Sequence, residues 1–484
     1  MKQKEFFSSP WGLIMTTLGV AIGTGNIWRF PRIVAQNGGG TFLIPFFVFL
    51  FTWSIPIMVV EFSLGRKTRS GIIKSIQELI GPEYGWLGGF IGFCTMMIMF
   101  YYSVIMGWCL KYLWFSILGG KPSHDYSIYW QNFLYSGYEP AFFHFLAMAI
   151  GTSIVYFGIS KGIERANKVF IPSLFVFLLI TSLRAITLPG AETGLKFFFI
   201  PRWEQLLDHQ VWLEAITQSA WSTGAGWGLF LTYSVYMLPK ENVLKSSFLT
   251  GIGDGIASLL SGMTVIITAF AFLEHHQAME VMASSSMGLT FIWIPRLFDQ
   301  MVAGGFFQTI FFLTLCFAAV SSLISMIELV VRVMMDYGLN RKKAVFITGS
   351  GGFICGIPSA LNINFLKNQD WVWGLGLLLN GFLFTMVVWK FGVSRFRFKI
   401  TNIPKLKGKN WSWFEFFFLF IIPLEFVFMM GWWFWKAAMI YEPHTWWNPF
   451  GINSIGTCLF QWGLVLIILI GINRYYLRKK TIET

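Results

Sequence analysis

Charge is scarce in this chain. Only 12% of its 484 residues are Asp, Glu, Lys or Arg, where a soluble domain carries roughly 25%. That shortage excludes an ordinary soluble fold. Cysteine is thin as well: Cys94, Cys109, Cys316, Cys355 and Cys458 are scattered and form no CxxC. No disulfide or metal framework is expected, and buried thiols are. His275 and His276 are adjacent and point to different sides, so a solvated loop is expected there rather than a metal site. No nucleophile–base pair and no cluster of His with carboxylates occurs, which argues against an intramembrane enzyme and any organic cofactor. No ring of like charges or filter-type loop suggests a channel. What is abundant is apolar: 55% of residues are hydrophobic, with 53 Phe and 23 Trp. This is the composition of an all-α membrane protein with many spans.

The net charge of +13 could suggest nucleic acid, but its placement excludes that partner. Basic residues gather in a few loops: Arg66, Lys67, Arg69 and Lys74; Lys161, Arg165 and Lys168; Lys240 and Lys245; Arg341, Lys342 and Lys343; Arg395 to Lys409; Arg474 to Lys480. That is the positive-inside pattern. The stretch 394–410 holds six basic residues and no acidic one, and is expected to lie against anionic lipid headgroups. With about 20 apolar residues per crossing, spans are predicted near 11–35, 41–65, 87–117, 141–158, 168–186, 213–238, 243–273, 305–335, 343–361, 371–393, 413–438 and 455–475. That makes twelve, with both termini inside and every basic cluster on one side. Connections 118–140, 187–212 and 275–304 fall outside, the last with short helices of its own. No cleavable signal peptide is expected after Met1-Lys2-Gln3-Lys4. Without outer glycosylation sequons or long termini, a bacterial inner membrane is the expected location.

Two spans carry residues that a continuous membrane helix does not want. Gly19-Val20-Ala21-Ile22-Gly23-Thr24-Gly25-Asn26 sits inside the first, and Trp221-Ser222-Thr223-Gly224-Ala225-Gly226-Trp227-Gly228 inside the sixth. Lipid offers no partner to a freed N–H or C=O, so unwound backbone at mid-depth survives only in protein or beside a cavity. Two interrupted helices in corresponding positions point to a secondary transporter and its site. Spans one to five (1–186) and six to ten (187–393) then form a 5+5 inverted repeat with discontinuous first and sixth helices. Residues 394–484 follow as a tail of two spans. Its run Trp432-Trp433-Phe434-Trp435 is expected as an interface anchor or a packing face.

The string Gly23-Thr24-Gly25-Asn26-Ile27-Trp28-Arg29-Phe30-Pro31, followed by Asn37-Gly38-Gly39-Gly40, resembles the first-helix signature of the neurotransmitter:sodium symporter family. The fold of that family is that of the bacterial leucine transporter, and the similarity runs along nearly the whole chain. Physics fits such a carrier. An amino-acid carboxylate can face the N-terminal end of an outer half-helix, where amides of Thr24 and Gly25 are free, and its ammonium can face carbonyls of Ala21, Trp221 and Ser222. By the resemblance, Tyr102 donates its hydroxyl to the substrate carboxylate. Ile98, Trp221, Gly224, Trp227, Ser322 and Met326 face the substrate side chain and imply an apolar or aromatic amino acid. Gly23 stands where monoamine carriers of the family have Asp, so the substrate is expected to bring its own carboxylate.

The resemblance also implies two sodium ions as cargo. The first set is Ala21, Asn26, Ser222 and Asp254, completed by the substrate carboxylate, which couples the two ligands reciprocally. The second is Gly19, Ile22, Ala318, Ser321 and Ser322. Oxygen donors suit such a hard cation. Asp254 departs from the family, which usually has Asn. A mid-membrane carboxylate is costly and rarely accidental. Chloride-dependent relatives bind the anion beside a Ser matching Ser258 and a Tyr matching Phe46. Asp254 lies one turn from Ser258 on the same helix face and is expected to supply that negative charge, so chloride is not expected to be needed. For gates, Arg29 is expected to bridge, directly or through water, to Asp370 at the start of span ten, and Lys4 to meet Asp336 on the inner side. Lys in place of the family's Arg loses the bidentate fork. Glu61 and Glu328 are expected in the packing of spans two and six. The expected activity is sodium-coupled amino-acid uptake within a lipid bilayer. Proton coupling through Asp254, or a non-transporting amino-acid receptor, are the alternatives. The sequence specifies neither the particular amino acid nor an oligomeric state.

Overall fold

The structure is a computed structural model, and it describes residues 5–122, 125–401, 403 and 412–483. The described residues build helices and no strand. The chain opens with α1 (Pro10–Ala21), α2 (Thr24–Trp28) and α3 (Phe30–Gln36), so the first predicted span is broken at Ile22 and Gly23. Ser9 starts α1: its hydroxyl accepts the Gly12 amide at 3.1 Å, and Pro10 fits the first helical position because its missing N–H would be unpaired there anyway. There follow α4 (Gly40–Thr68), α5 (Ile72–Ile80), α6 (Pro82–Ile117), α7 (Tyr126–Tyr135), α8 (Glu139–Tyr156) and α9 (Ile159–Ile186). Next come α10 (Ala191–Phe199), α11 (His209–Ser222), α12 (Leu229–Ser234) and α13 (Val243–Phe272). The rest are α14 (His275–Ala283), α15 (Ile294–Asp299), α16 (Gly304–Asp336), α17 (Arg341–Leu361), α18 (Ile363–Phe391), α19 (Trp413–Tyr441) and α20 (Ile455–Glu483).

Nine of the described helices are long and apolar enough to cross a membrane: α4, α6, α9, α13, α16, α17, α18, α19, and α20 over Ile455–Arg478. Burial sorts them. In α16, 89% of the apolar span is inside the molecule, but in α19 and α20 only 33% and 17%. The centre is therefore built around α16 with α6, α1 and α12 against it, and the last two helices form the rim.

Several elements depart from the sequence reading. Helix α18 begins at Ile363, well before 371, because Asn362 caps it: its side-chain oxygen accepts the amides of Asn364 (2.9 Å) and Phe365 (3.2 Å). The first turns, Ile363 to Asp370, are polar and carry no hydropathy signal. Asp370 thus lies inside the helix rather than at its start. The outer connections 118–140 and 187–212 hold α7 and α10, and His275 opens α14 instead of sitting in a loop. These outer pieces lock together: the Tyr126 hydroxyl donates to Asp299 at 2.8 Å, and Arg296 pairs with Asp125. All five cysteines are free, but Cys355 is exposed where a buried thiol was expected. Arg397 turns inward to Glu415 at 2.7 Å, both buried, because the Glu415 carboxylate and the Ile403 carbonyl (2.7 Å) give it partners that headgroups would otherwise supply. Its companions Lys405, Lys407 and Lys409 lie outside the described residues.

Candidate functional site

The two breaks face each other. Helix α1 stops at Ala21, so the carbonyls of its last turn have no following helical amide. Leu18 takes the Ile22 amide at 2.7 Å. Gly23 then runs extended, and the Asn26 side-chain oxygen accepts its amide at 2.9 Å, restarting the helix as α2. The second break is longer. Gly224, Gly226 and Gly228 have φ of +69°, +93° and +77°, a left-handed backbone that L side chains rarely adopt. A side chain at Gly226 would also strike the backbone of Gly381 on α18, whose N and Cα lie 3.0 and 3.1 Å from the place of its Cβ. The freed amides of this segment are taken by Glu61 of α4. One carboxylate oxygen accepts Gly226 N at 2.6 Å and the other Leu231 N at 3.3 Å. Glu61 is fully buried, so it acts as a fixed cap on the unwound chain.

At the junction Asn26 is the hub. Its amide nitrogen is 2.6 Å from an Asp254 oxygen and 2.9 Å from the hydroxyls of both Ser222 and Ser258. Ser222 donates to the Asp254 carboxylate at 3.0 Å. All four residues are buried. Three acceptors around an amide with two hydrogens is one more than it can serve. This is an oxygen-rich cluster with a carboxyl group, and no Lys or Arg pairs with Asp254 among the described residues. Phe46, by contrast, lies in a ring cluster with Phe30 (5.0 Å) and Phe47 (5.4 Å) and offers no hydroxyl.

A second group forms where α1 meets α16. The Ser322 hydroxyl donates to the Gly19 carbonyl at 3.4 Å and Ser321 to Ala318 O at 2.9 Å. A side chain on Gly19 would fall 3.0 Å from Ser321 Cβ. Ile22 is fully buried at the break. Above, the Tyr102 hydroxyl accepts the Thr24 amide at 3.2 Å and its hydroxyl at 3.4 Å. Tyr102 and Ser322 oxygens both crowd Gly23, at 3.3 and 3.1 Å from the place of its Cβ, whereas nothing lies within 4 Å of that at Gly25. Open space therefore begins beside Gly25. Gly224 is 3.4 Å, on the same measure, from Val20 Cγ1, so the two breaks are in contact. Ile98 and Met326 are buried, and Trp227 is half-buried with its carbonyl accepting Thr95 Oγ1 at 2.7 Å.

The described gate residues also have direct partners outside the expected pairs. Arg29 lies over the Trp221 ring, its guanidinium carbon 3.4 Å from the centroid, and no direct ion pair with Asp370 forms among the described residues. Arg29 is drawn to the ring face, and the Asp370 carboxyl meets the Tyr101 hydroxyl. Trp221 is held as a roof: its indole N–H donates to Gly374 O at 2.9 Å and it stacks on Trp433 at 5.5 Å. Lys4 lies outside the described residues. Its expected partner Asp336 is engaged by Arg332 at 2.7 Å and by the Gly71 amide at 2.5 Å. The described inner contacts run through Arg341, which forks onto Glu328 at 2.7 and 2.9 Å and reaches Glu5 at 3.1 Å. Tyr236 donates to the same Glu328 at 2.7 Å. Sequence reasoning missed this fork because thirteen positions and a loop separate Glu328 from Arg341. It also missed Asn167 of α9, whose side-chain oxygen lies 2.4 Å from the place of a Cβ on Gly19. A single mid-helix Asn gives no signal of its own.

A membrane-embedded helical scaffold with its polar core at two facing helix breaks is the architecture of a secondary transporter, not of an enzyme. The family model for the sodium:neurotransmitter symporter family matches residues 4–132 and 141–479. The chain belongs to that family. It is 31% identical over 437 residues to an uncharacterized sodium-dependent transporter of Methanocaldococcus jannaschii, covering 84% of this chain and 86% of the relative. It is 28% identical over 447 residues to the sodium-dependent serotonin transporter of Drosophila melanogaster, covering 82% and 71%. The solved structure of MhsT in complex with L-phenylalanine superposes with a TM-score of 0.77 at 28% identity, covering 88% of this chain and 99% of that one.

Proposed function

We propose that the protein carries an amino acid across the membrane together with sodium, by alternating access. The observation that carries this is the Asn26–Ser222–Asp254 convergence, which joins both broken helices in one oxygen-rich pocket. The twelve crossings divide as 1–186, 187–393 and 394–484, the first two as inverted halves, with both termini cytoplasmic in a bacterial inner membrane. A cation in the pocket would displace the Asn26 amide protons from Asp254 and Ser222, and the Asn26 oxygen would leave the Gly23 amide that it accepts at 2.9 Å to face the ion. Asn26, Ser222 and Asp254 with the Ala21 carbonyl then form a hard-oxygen set for one sodium. Gly19, Ile22, Ala318, Ser321 and Ser322 form the second.

The substrate carboxylate fits above the first ion, in the open space beside Gly25 and near the Tyr102 hydroxyl, which turns from Thr24 to meet it. Gly23 leaves no carboxylate for a bare amine, which favours an amino acid over a monoamine. MhsT was solved with L-phenylalanine, and an apolar or aromatic side chain suits the residues around Trp227 and Met326. Asp254 supplies the anion that other members borrow from chloride. Competition by the common amino acids for uptake into proteoliposomes, with sodium replaced by choline and separately chloride by gluconate, tests each part. Sodium-independent uptake would favour protons on Asp254. Binding without accumulation would favour a receptor.

A further inference from the structure

The second oxygen cluster has an unassigned member. Asn167 on α9 is fully buried. Its amide nitrogen donates to the Ile163 carbonyl at 3.1 Å. A carbonyl only accepts, so this bond fixes which end of the amide faces which way. The oxygen must point toward α1. There it has no hydrogen-bond donor among the described residues, which is a costly state for a buried acceptor. It lies 2.4 Å from the place of a Cβ on Gly19, and Ser321 Cβ lies 3.0 Å from the same point. Only a glycine at 19 admits it.

The neighbouring groups are acceptors too. The Ser321 proton is used on Ala318 O and the Ser322 proton on Gly19 O. The buried Asn167 oxygen, without a donor among the described residues, is short of positive charge, and a dehydrated monovalent cation supplies it. We propose that Asn167 is a ligand of the cation held at Gly19, Ala318, Ser321 and Ser322, adding an oxygen from a third helix. This rests on the sodium reading given above. It makes α9 part of the ion site and ties cation binding to the packing of α9 on α1.

The test uses purified full-length protein in nanodiscs, titrated with sodium chloride at constant ionic strength without substrate. The readouts are thermal stabilisation and bound radioactive sodium. Asn167→Ala is expected to raise the half-saturating sodium concentration about tenfold and to alter the preference for sodium over lithium. Asn167→Asp keeps the side-chain shape and adds charge, and is expected to lower the half-saturating concentration. If the unaltered protein shows no sodium response, the sodium reading itself fails. If it responds and Asn167→Asp leaves both half-saturation and ion preference unchanged, the proposal for Asn167 is overturned, whether or not the Ala variant folds.

Discussion

Trp433 of α19 stacks on Trp221 of α11 with ring centroids 5.5 Å apart and planes 26° from parallel. Arg29 covers Trp221 from another side. The Trp433 indole donates to Thr217 at 3.1 Å, and Lys436 pairs with Glu214 one turn away at 2.6 Å. A helix outside the two halves therefore holds the roof of the site. Trp433→Ala removes a ring pair worth about 0.5–1.5 kcal/mol. KM for the transported amino acid should rise about two- to tenfold with the maximal rate nearly kept, and Trp433→Phe should restore most of it. Uptake kinetics in proteoliposomes check this, and an unchanged KM would detach α19 from the gate.

Glu61 accepts two backbone amides across the second break. Glu61→Gln keeps the shape but turns one acceptor into a donor facing an amide. The loss should be about 1–3 kcal/mol, read as a fall in melting temperature of the detergent-purified protein. A wild-type melting curve would contradict the capping role.

Gly25 and Gly226 should separate function from folding. Gly25→Ala meets no atom within 4 Å and needs no left-handed backbone. Melting temperature should hold, and substrate affinity should fall because the methyl enters the proposed site. Gly226→Ala combines a φ of +93° with the Gly381 backbone 3.0 Å away, so the yield of folded protein should collapse. Fluorescence size-exclusion profiles and ligand titration distinguish the two.

Asp254→Asn should make transport depend on chloride. Uptake by the variant is expected to fall at least fivefold when gluconate replaces chloride, a coupling of about 1 kcal/mol. The double change Asp254→Asn with Ser258→Glu should restore uptake in gluconate by moving the charge one turn along α13. Equal uptake of the single variant in both salts would refute the charge-replacement idea.

On the inner side, Arg341 and Glu328 form a forked pair with Glu328 fully buried. Removing one partner of such a pair costs about 3–5 kcal/mol. Arg341→Ala should lower stability and expose the inner path, raising labelling of a cysteine placed beside Phe7. Arg341→Lys should recover only part, since it lacks the fork.

The breaks were legible because glycine and Asn at mid-membrane conflict with a helix that must satisfy its own backbone. Asn26, Ser222 and Asp254, on three separate spans, were grouped through the family resemblance, and the fold brings them together. Arg29 was legible as an outer charge, but its attachment to Trp221 depends on a rotamer, which no pattern encodes. The start of α18 was lost because Asn362 signals a cap while the residues after it are too polar for a span. Glu328 found Arg341 because α16 and α17 form a tight hairpin, and Asn167 reaches Gly19 only because α9 crosses α1 at a residue without a side chain.

Gly19 and Ala21 lie two residues apart at the frayed end of one short helix, α1. On the function proposed, one carbonyl serves each cation. The stub is thus a common lever: a small tilt pulls an oxygen from both ions in the same stroke. Discharge of the two would then be concerted, with no half-loaded carrier accumulating on the inward side.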